Sequence, residues 1–322
     1  MLIPDWVAKL KQSVHRHVCG QEKVIDRLIL ALACRGHVLL EGVPGLAKTR
    51  LASVFSRCLG LAFRRIQFTS DMLPGDILGG PVYVPQTGEF RLRKGPIFSQ
   101  VILADELNRA PPRTHSALLE AMQDRQVSLA DETIALGDPF LVIATQNPIE
   151  WEGVYPLSEA EKDRFLFRMQ LSYPNRTEEV RILEAHSLIG PVGEVEAVLD
   201  PDQIRELPKK VDGIHVARPL MEYLVDLVRA TRSPQEYGGL KVFADQVRLG
   251  ASPRAGVQLL QASKARALVA GRDMVLPEDI QDLFPDVMGH RVEWDWRAAD
   301  QGRNEAGSGA FLHAVLREVA VP

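Results

Sequence analysis

Apolar residues recur along this chain with two periods. Over 4–17 they fall at Trp6, Val7, Leu10 and Val14, and over 22–35 at Val24, Ile25, Leu28, Ile29 and Leu32, which is the spacing of amphipathic helices. A turn, Val18-Cys19-Gly20-Gln21, separates them. From residue 37 onward short apolar runs of strand length take over, at 37–40, 63–68, 97–104, 140–144 and 165–171, with helical segments at 50–59, 112–125 and 158–163 between them. Strands alternating with helices predict a parallel sheet covered on both faces, an α/β core.

Two stretches break this alternation. Among the breakers Pro74, Gly75, Gly79, Gly80 and Pro81, the runs 82–84 and 89–93 flank Pro85-Gln86-Thr87-Gly88 and predict a β-hairpin inserted into the core. A second hairpin is expected over 127–136 around Ala130-Asp131-Glu132. After Tyr173-Pro174 the strand signals stop, and 177–189, 202–209, 218–232, 253–270 and 277–287 all read as helices. A small, polar loop over 297–309 then precedes a last helix at 310–319. The expected organisation is a core domain over 1–175, with its hairpin insert at about 82–93, and an α-helical domain over 176–322.

A length of 322 residues suits about two domains. The net charge of -4 gives no general attraction to nucleic acid or anionic membrane. The most apolar stretches, 28–34 and 38–40, are split by Arg35 and His37 and are too short to span a bilayer. The first residues lack the apolar core of a signal peptide, so a soluble, cytoplasmic protein is expected. Cys19, Cys34 and Cys58 lack metal-ligand spacing and read as reduced thiols.

The chemistry centres on Val38-Leu39-Leu40-Glu41-Gly42-Val43-Pro44-Gly45-Leu46-Ala47-Lys48-Thr49. A strand enters a glycine-containing loop and a Lys-Thr pair opens a helix, the layout of a phosphate-binding loop. Glycines let the backbone approach a polyphosphate, and the N–H groups at the helix start face it. Lys48 would reach the β/γ-phosphates and the Thr49 hydroxyl would ligate Mg²⁺. Ala47 stands where the pattern G-x-x-x-x-G-K-[ST] has its last glycine, and alanine fits there if its φ is below zero.

A buried strand ending in Asp105-Glu106 is the expected partner of such a loop. Asp105 would hold Mg²⁺ and Glu106 would orient or deprotonate the attacking water. Asn147, at the end of the next strand, could hold that water or the γ-phosphate, or simply form a turn before Pro148. In Ser252-Pro253-Arg254, Ser252 can act as N-cap and Pro253 as first helical residue, which puts Arg254 in the first turn. A cation there opposes the helix dipole, so an anion nearby is expected. By itself Arg164 reads as a rim salt bridge.

Together these residues resemble an AAA+ ATPase, and within that class the MoxR family. The matching stretches are Gly20-Gln21-Glu22, the loop from Leu40 to Thr49, Ala104-Asp105-Glu106-Leu107-Asn108-Arg109-Ala110-Pro111-Pro112, Ala144-Thr145-Gln146-Asn147-Pro148-Ile149-Glu150, Tyr155-Pro156-Leu157, Glu159-Ala160, Asp163-Arg164-Phe165 and Ala251-Ser252-Pro253-Arg254-Ala255. They cover roughly residues 10 to 290, and the tail beyond adds nothing to the match.

The resemblance implies a P-loop AAA+ αβα core with a parallel sheet and a C-terminal α-helical lid domain. It implies ATP and Mg²⁺ as cofactors. Gly42, Val43, Pro44, Gly45, Leu46, Ala47, Lys48, Thr49 and Arg50 would form the Walker A site, and Gly20 and Gln21 would lie near adenine. Asp105 and Glu106 would be Walker B, Asn147 sensor 1, Arg164 an arginine finger and Arg254 sensor 2. The insert resembles a helix-2 insert pointing toward a ring pore.

A homo-oligomeric ring of six is implied, remodelling or maturing a client protein, for instance by metal or cofactor insertion, alongside a partner with a von Willebrand factor type A domain. Two other functions remain open from sequence. One is a nucleic-acid motor in which Arg91, Arg93 and Lys94 touch phosphates, and the other is a nucleotide-gated scaffold with little turnover.

Overall fold

The structure is a computed structural model that describes residues 3–43, 45–129, 132–147, 153–187, 195–295 and 307–322. Helices α1 (Ile3–His15) and α2 (Glu22–Ala33) precede strand β1 (Val38–Glu41), and α3 (Lys48–Cys58) leads to β2 (Phe63–Gln67). The short α4 (Pro74–Leu78) opens the hairpin β3 (Gly79–Val84) and β4 (Glu89–Lys94). Next come β5 (Val101–Asp105), α5 (Pro112–Asp124), the second hairpin β6 (Gln126–Leu129) and β7 (Glu132–Ala135), β8 (Leu141–Gln146), α6 (Glu159–Lys162) and β9 (Phe167–Gln170). The tip of the second hairpin, Ala130-Asp131, lies outside the described residues.

The main sheet has the order β2-β5-β8-β1-β9, and its β2–β5, β5–β8 and β8–β1 pairings are parallel. The reason is legible in the strands. Val38 to Leu40, Val101 to Ala104 and Leu141 to Ala144 are uninterrupted apolar runs, buried on both faces as only the middle strands of a covered parallel sheet are. The run predicted at 97–104 becomes strand only from Val101. Its first residues form turns, with the Phe98 N–H donating to the Gly95 carbonyl.

At the amino end of β1 His37 is buried. Val142 N–H donates to its Nδ1 at 3.0 Å, so its proton sits on Nε2 and is donated to the Met122 carbonyl at 3.1 Å. Burial first, then repulsion from Arg125, lowers its pKa to about 3.

The β3–β4 hairpin stands outside this core. Six residue pairs run from Gly79↔Lys94 to Val84↔Glu89, and Tyr83 packs on Phe90 with ring centroids 5.4 Å apart. At its base Gly79 has φ 90, and a Cβ there would lie 2.1 Å from the Arg93 carbonyl oxygen, so only glycine closes the ladder.

The chain divides into two compact units, one made mainly of 5–157 and 169–206, the other of 158–168 and 207–322. The first also carries α7 (Arg176–Ser187) and α8 (Pro201–Arg205). One helix predicted over 202–209 is two, because Pro208 has no N–H to continue the ladder and instead sits in the first turn of a new helix, α9 (Leu207–Asp212).

The second unit contains α9, α10 (Arg218–Arg232), α11 (Pro253–Val269), α12 (Pro277–Met288) and α13 (Gly307–Glu318). It is not purely helical. β10 (Val247–Leu249) pairs antiparallel with β11 (Glu293–Trp294), strands too short to show alternation in sequence. The tail, silent in motifs, is structural: the rings of Phe243, Trp294 and Phe311 pack together, with centroids 5.3 to 6.4 Å apart, and Phe311 is fully buried. The loop expected over 297–309 falls mostly outside the described residues.

Candidate functional site: a phosphate loop and an acidic strand end on one sheet edge

The carboxyl ends of β1, β8 and β5 lie side by side, with Glu41 opposite Gln146 and Ala104 opposite Ala144. Neighbouring strands are about 4.8 Å apart, so the loop after β1 and the acids after β5 are roughly 10 Å apart across the end of β8. Such an edge is where open α/β sheets bind ligands.

Beyond β1, Gly42 N–H donates to the Gln146 carbonyl at 3.3 Å, and a Cβ on Gly42 would press within 3.0 Å of the Leu171 side chain. Gly45 takes φ 89. Leu46 turns inward and is buried, while Val43 is half-buried and Pro44 lies outside the described residues.

Ala47 overturns its expectation. It adopts φ 54 and ψ 27, the left-handed conformation that the usual glycine would take without strain. Alanine pays about 1 kcal/mol for it. The first turn of α3 begins there, Leu51 N–H being bonded to the Ala47 carbonyl, so the N–H groups of Lys48, Thr49 and Arg50 precede the helical ladder. Lys48 Nζ donates to the Gly42 carbonyl at 2.5 Å, drawing the ammonium back over the loop.

Across β8, Asp105 and Glu106 are held by residues that the sequence did not single out. Thr145 Oγ1 donates to Asp105 Oδ1 at 2.6 Å and accepts from the Glu106 N–H at 2.9 Å, so one hydroxyl fixes both acids. On the other side Arg65 Nε and Nη2 reach Asp105 Oδ2 at 2.9 and 2.7 Å. Gln67 Nε2 donates to Glu106 Oε2 at 2.7 Å, and Arg109 Nε lies 3.2 Å from the same oxygen. Glu106 has φ 56, which turns its side chain off the strand line. Asn147 follows β8 and is buried.

This donor set suits a hard divalent cation: a carboxylate at a strand end and the hydroxyl of Thr49 in the first helical turn are the oxygen ligands that Mg²⁺ takes together with water. Gly20 and Gln21 both take left-handed conformations, φ 69 and 64, just before α2. The Glu178 carboxylate stands so close that a Cβ on Gly20 would lie 2.8 Å from it.

Arg164 and Arg254 both belong to the second unit. Arg254 is in the first turn of α11, half exposed, with Nη1 3.9 Å from Asp163 Oδ2. Ser252 stands at the N-cap but makes no cap hydrogen bond, and its hydroxyl is buried without a partner among the described residues.

Asp163 Oδ1 is held by Arg291 Nε at 2.7 Å. The Arg291 guanidinium is buried and also donates to the carbonyls of Asp163, Phe165 and Leu166 and to Gln258, which pins the turn carrying Arg164 to α11. Burial lowers its pKa to about 10, against the pull of Asp163. Arg164 itself is partly exposed, its Nη1 3.5 Å from the Ala160 carbonyl.

Fold and edge together define a P-loop ATPase of the AAA+ class. The family described as "ATPase family associated with various cellular activities (AAA)" matches residues 37–167, and the "AAA lid domain" matches residues 241–308. A crystal structure of a candidate ATPase from Cytophaga hutchinsonii superposes with a TM-score of 0.92 at 39% identity, covering 99% of this chain and 96% of that one.

Chaperone MoxR1 of Mycobacterium tuberculosis is 41% identical over 96% of this chain and 81% of its own length, and Protein MoxR of Paracoccus denitrificans is 33% identical over 99% and 98%. The chain belongs to the MoxR family: it is an AAA+ ATPase with a chaperone-like role. No helix among the described residues is long and apolar enough to cross a membrane.

Proposed function

We propose that the chain hydrolyses ATP with Mg²⁺ in a cytoplasmic ring of six, and that the energy remodels or matures a client protein, for instance by inserting a metal or cofactor. A partner carrying a von Willebrand factor type A domain would bring the client. In this reading residues 1–175 are the nucleotide-binding core and 176–322 the lid.

The observation that carries the reading is the shared carboxyl edge, where the loop from Gly42 to Arg50, Asn147 and the Asp105-Glu106 pair end on three adjacent strands. Lys48 leaves the Gly42 carbonyl to hold the β/γ-phosphates, while the N–H groups of the first turn of α3 cradle them. Thr49 and Asp105 would hold Mg²⁺, which when bound neutralises charge on the phosphate oxygens.

Glu106, aimed by its left-handed backbone and by Gln67, takes the proton of the attacking water, and Asn147 orients that water. Arg254 acts as sensor 2. Arg164 enters the neighbouring subunit's site as an arginine finger, a contribution on the order of 10³ to 10⁵ in rate.

Mixing tests this arrangement. Arg164→Ala and Glu106→Gln subunits are each expected to turn over slowly alone and to recover activity together, since mixed interfaces pair an intact finger with an intact acid. Absence of recovery would contradict a shared site. ATP-trapped Glu106→Gln protein should co-purify with client protein, and recovery of DNA instead would favour a nucleic-acid motor.

A further inference from the structure

The edge strand β2 and the base of the β3–β4 hairpin enclose an open cleft of about 840 Å³. Its lining brings four cations together: Arg64 and Arg65 from β2, and Arg93 and Lys94 from β4. Against them stands one acid, Asp76, whose carboxylate is committed to the Leu73 N–H at 2.8 Å as the cap of α4.

Arg64, Arg93 and Lys94 are exposed and form no ion pair with a described residue, although Lys94 Nζ sits 5.1 Å over the Phe98 ring. Such a concentration of one sign, in a chain whose net charge is -4, is a local field that an anion would relieve.

Arg65 is the exception among the four. It lines the cleft and at the same time spends two N–H groups on Asp105 Oδ2. That oxygen belongs to the acid assigned to the metal, so the guanidinium and the metal compete for it. A carboxylate in the cleft offers Arg65 a second partner of equal chemistry, with fork-to-fork geometry.

We propose that this cleft docks an acidic, extended segment of the client protein, and that occupation draws Arg65 off Asp105 and so prepares the metal site. The coupling half rests on the reading of Asp105 as the metal-holding acid. An acidic peptide suits the cleft better than nucleic acid. The one aromatic ring in the lining, Phe98, lies under Lys94 rather than open for stacking a base.

The test uses the full chain at low ionic strength, with a fluorescein-labelled deca-glutamate peptide followed by anisotropy, a deca-thymidylate of equal length for comparison, and Mn²⁺ binding followed by electron paramagnetic resonance in the presence of ATP. The expected results are that the peptide binds more tightly than the oligonucleotide and that Arg93→Glu/Lys94→Glu weakens it by about tenfold or more with an unchanged unfolding midpoint. The milder Arg93→Gln should weaken it less.

Peptide should tighten Mn²⁺ binding in the unmodified chain, whereas Arg65→Gln should bind Mn²⁺ tightly with or without peptide. Equal peptide affinity in the double variant, or a tighter oligonucleotide, would overturn the docking site. Mn²⁺ affinity indifferent to peptide would overturn the coupling. If neither protein holds Mn²⁺ with ATP, the metal reading of Asp105 and the coupling fall together, while the peptide comparison still decides the docking site.

Discussion

The carboxyl edge of the main sheet and the inserted hairpin, parts of the same unit, are built on opposite principles. At the edge the three middle strands are largely apolar and buried, and the polar groups around their ends are tied to one another: Thr145 to both acids, Arg65 and Gln67 to one each. In the hairpin the side chains face water, and Phe90 is 72% exposed. The contrast teaches that the strands presenting Asp105, Glu106 and Asn147 are fixed by core packing, whereas the hairpin can offer surface to a partner at little cost in stability.

The sharpest way to break that contrast is to cut one apolar side chain in each region. Leu103→Ala, in the fully buried β5, should lower the unfolding free energy by about 3 kcal/mol in urea titrations. Phe90→Ala should stay within about 0.5 kcal/mol and leave nucleotide affinity unchanged. Comparable losses would mean that the hairpin is part of the core.

Acid should separate the regions next. The folded pKa of His37, about 3, lies below the usual 6.5, so its neutral form is the one that folding favours. Its contribution is complete above about pH 6.5 and is lost as pH falls from there toward 3, by up to about 1.4 kcal/mol per unit. Thermal midpoints of His37→Asn measured from pH 7 to 4 should therefore decline less steeply than those of the unmodified chain. Parallel declines would show that other groups carry the acid sensitivity.

A smaller effect is expected at the hydroxyl that fixes the acids. Thr145→Val preserves shape but leaves the Glu106 N–H and an Asp105 oxygen without their partner. A loss of about 1–2 kcal/mol should follow, together with weaker Mn²⁺ binding. Arg91→Ala on the hairpin is the control and should change neither.

The smallest effect is at Ala47, where glycine removes the left-handed strain. Ala47→Gly should stabilise by up to about 1 kcal/mol, and destabilisation would argue that the loop's backbone differs from φ 54.

What the sequence revealed and what it hid follow from the same physics. Strand β1, its loop and α3 were legible because a local pattern specifies them, and so were the Asp105-Glu106 pair and both hairpins. The partners Arg65, Gln67 and Thr145 were not. Each meets its acid only because β2 and β8 flank β5, and strand order is a long-range property that no periodicity records.

Arg291 was hidden for a different reason. A charged residue in a motif-free stretch reads as surface, yet its five donors satisfy a turn that would otherwise bury unpaired carbonyls. Ala47 was misjudged because alanine seldom takes a positive φ, and only the backbone shows that this one does. The short β10–β11 pair in the second unit lay below the length at which alternation can be seen.

The central claim is that Lys48 and Glu106 serve one bound triphosphate from the ends of β1 and β5, two strands apart on the sheet edge. It is tested most directly by measuring ATP affinity and single-turnover hydrolysis on the same Glu106→Gln preparation. The account predicts affinity close to that of the unmodified chain and a rate lowered by about 10² to 10⁴. Hydrolysis at the unmodified rate, with ATP bound normally, would contradict it.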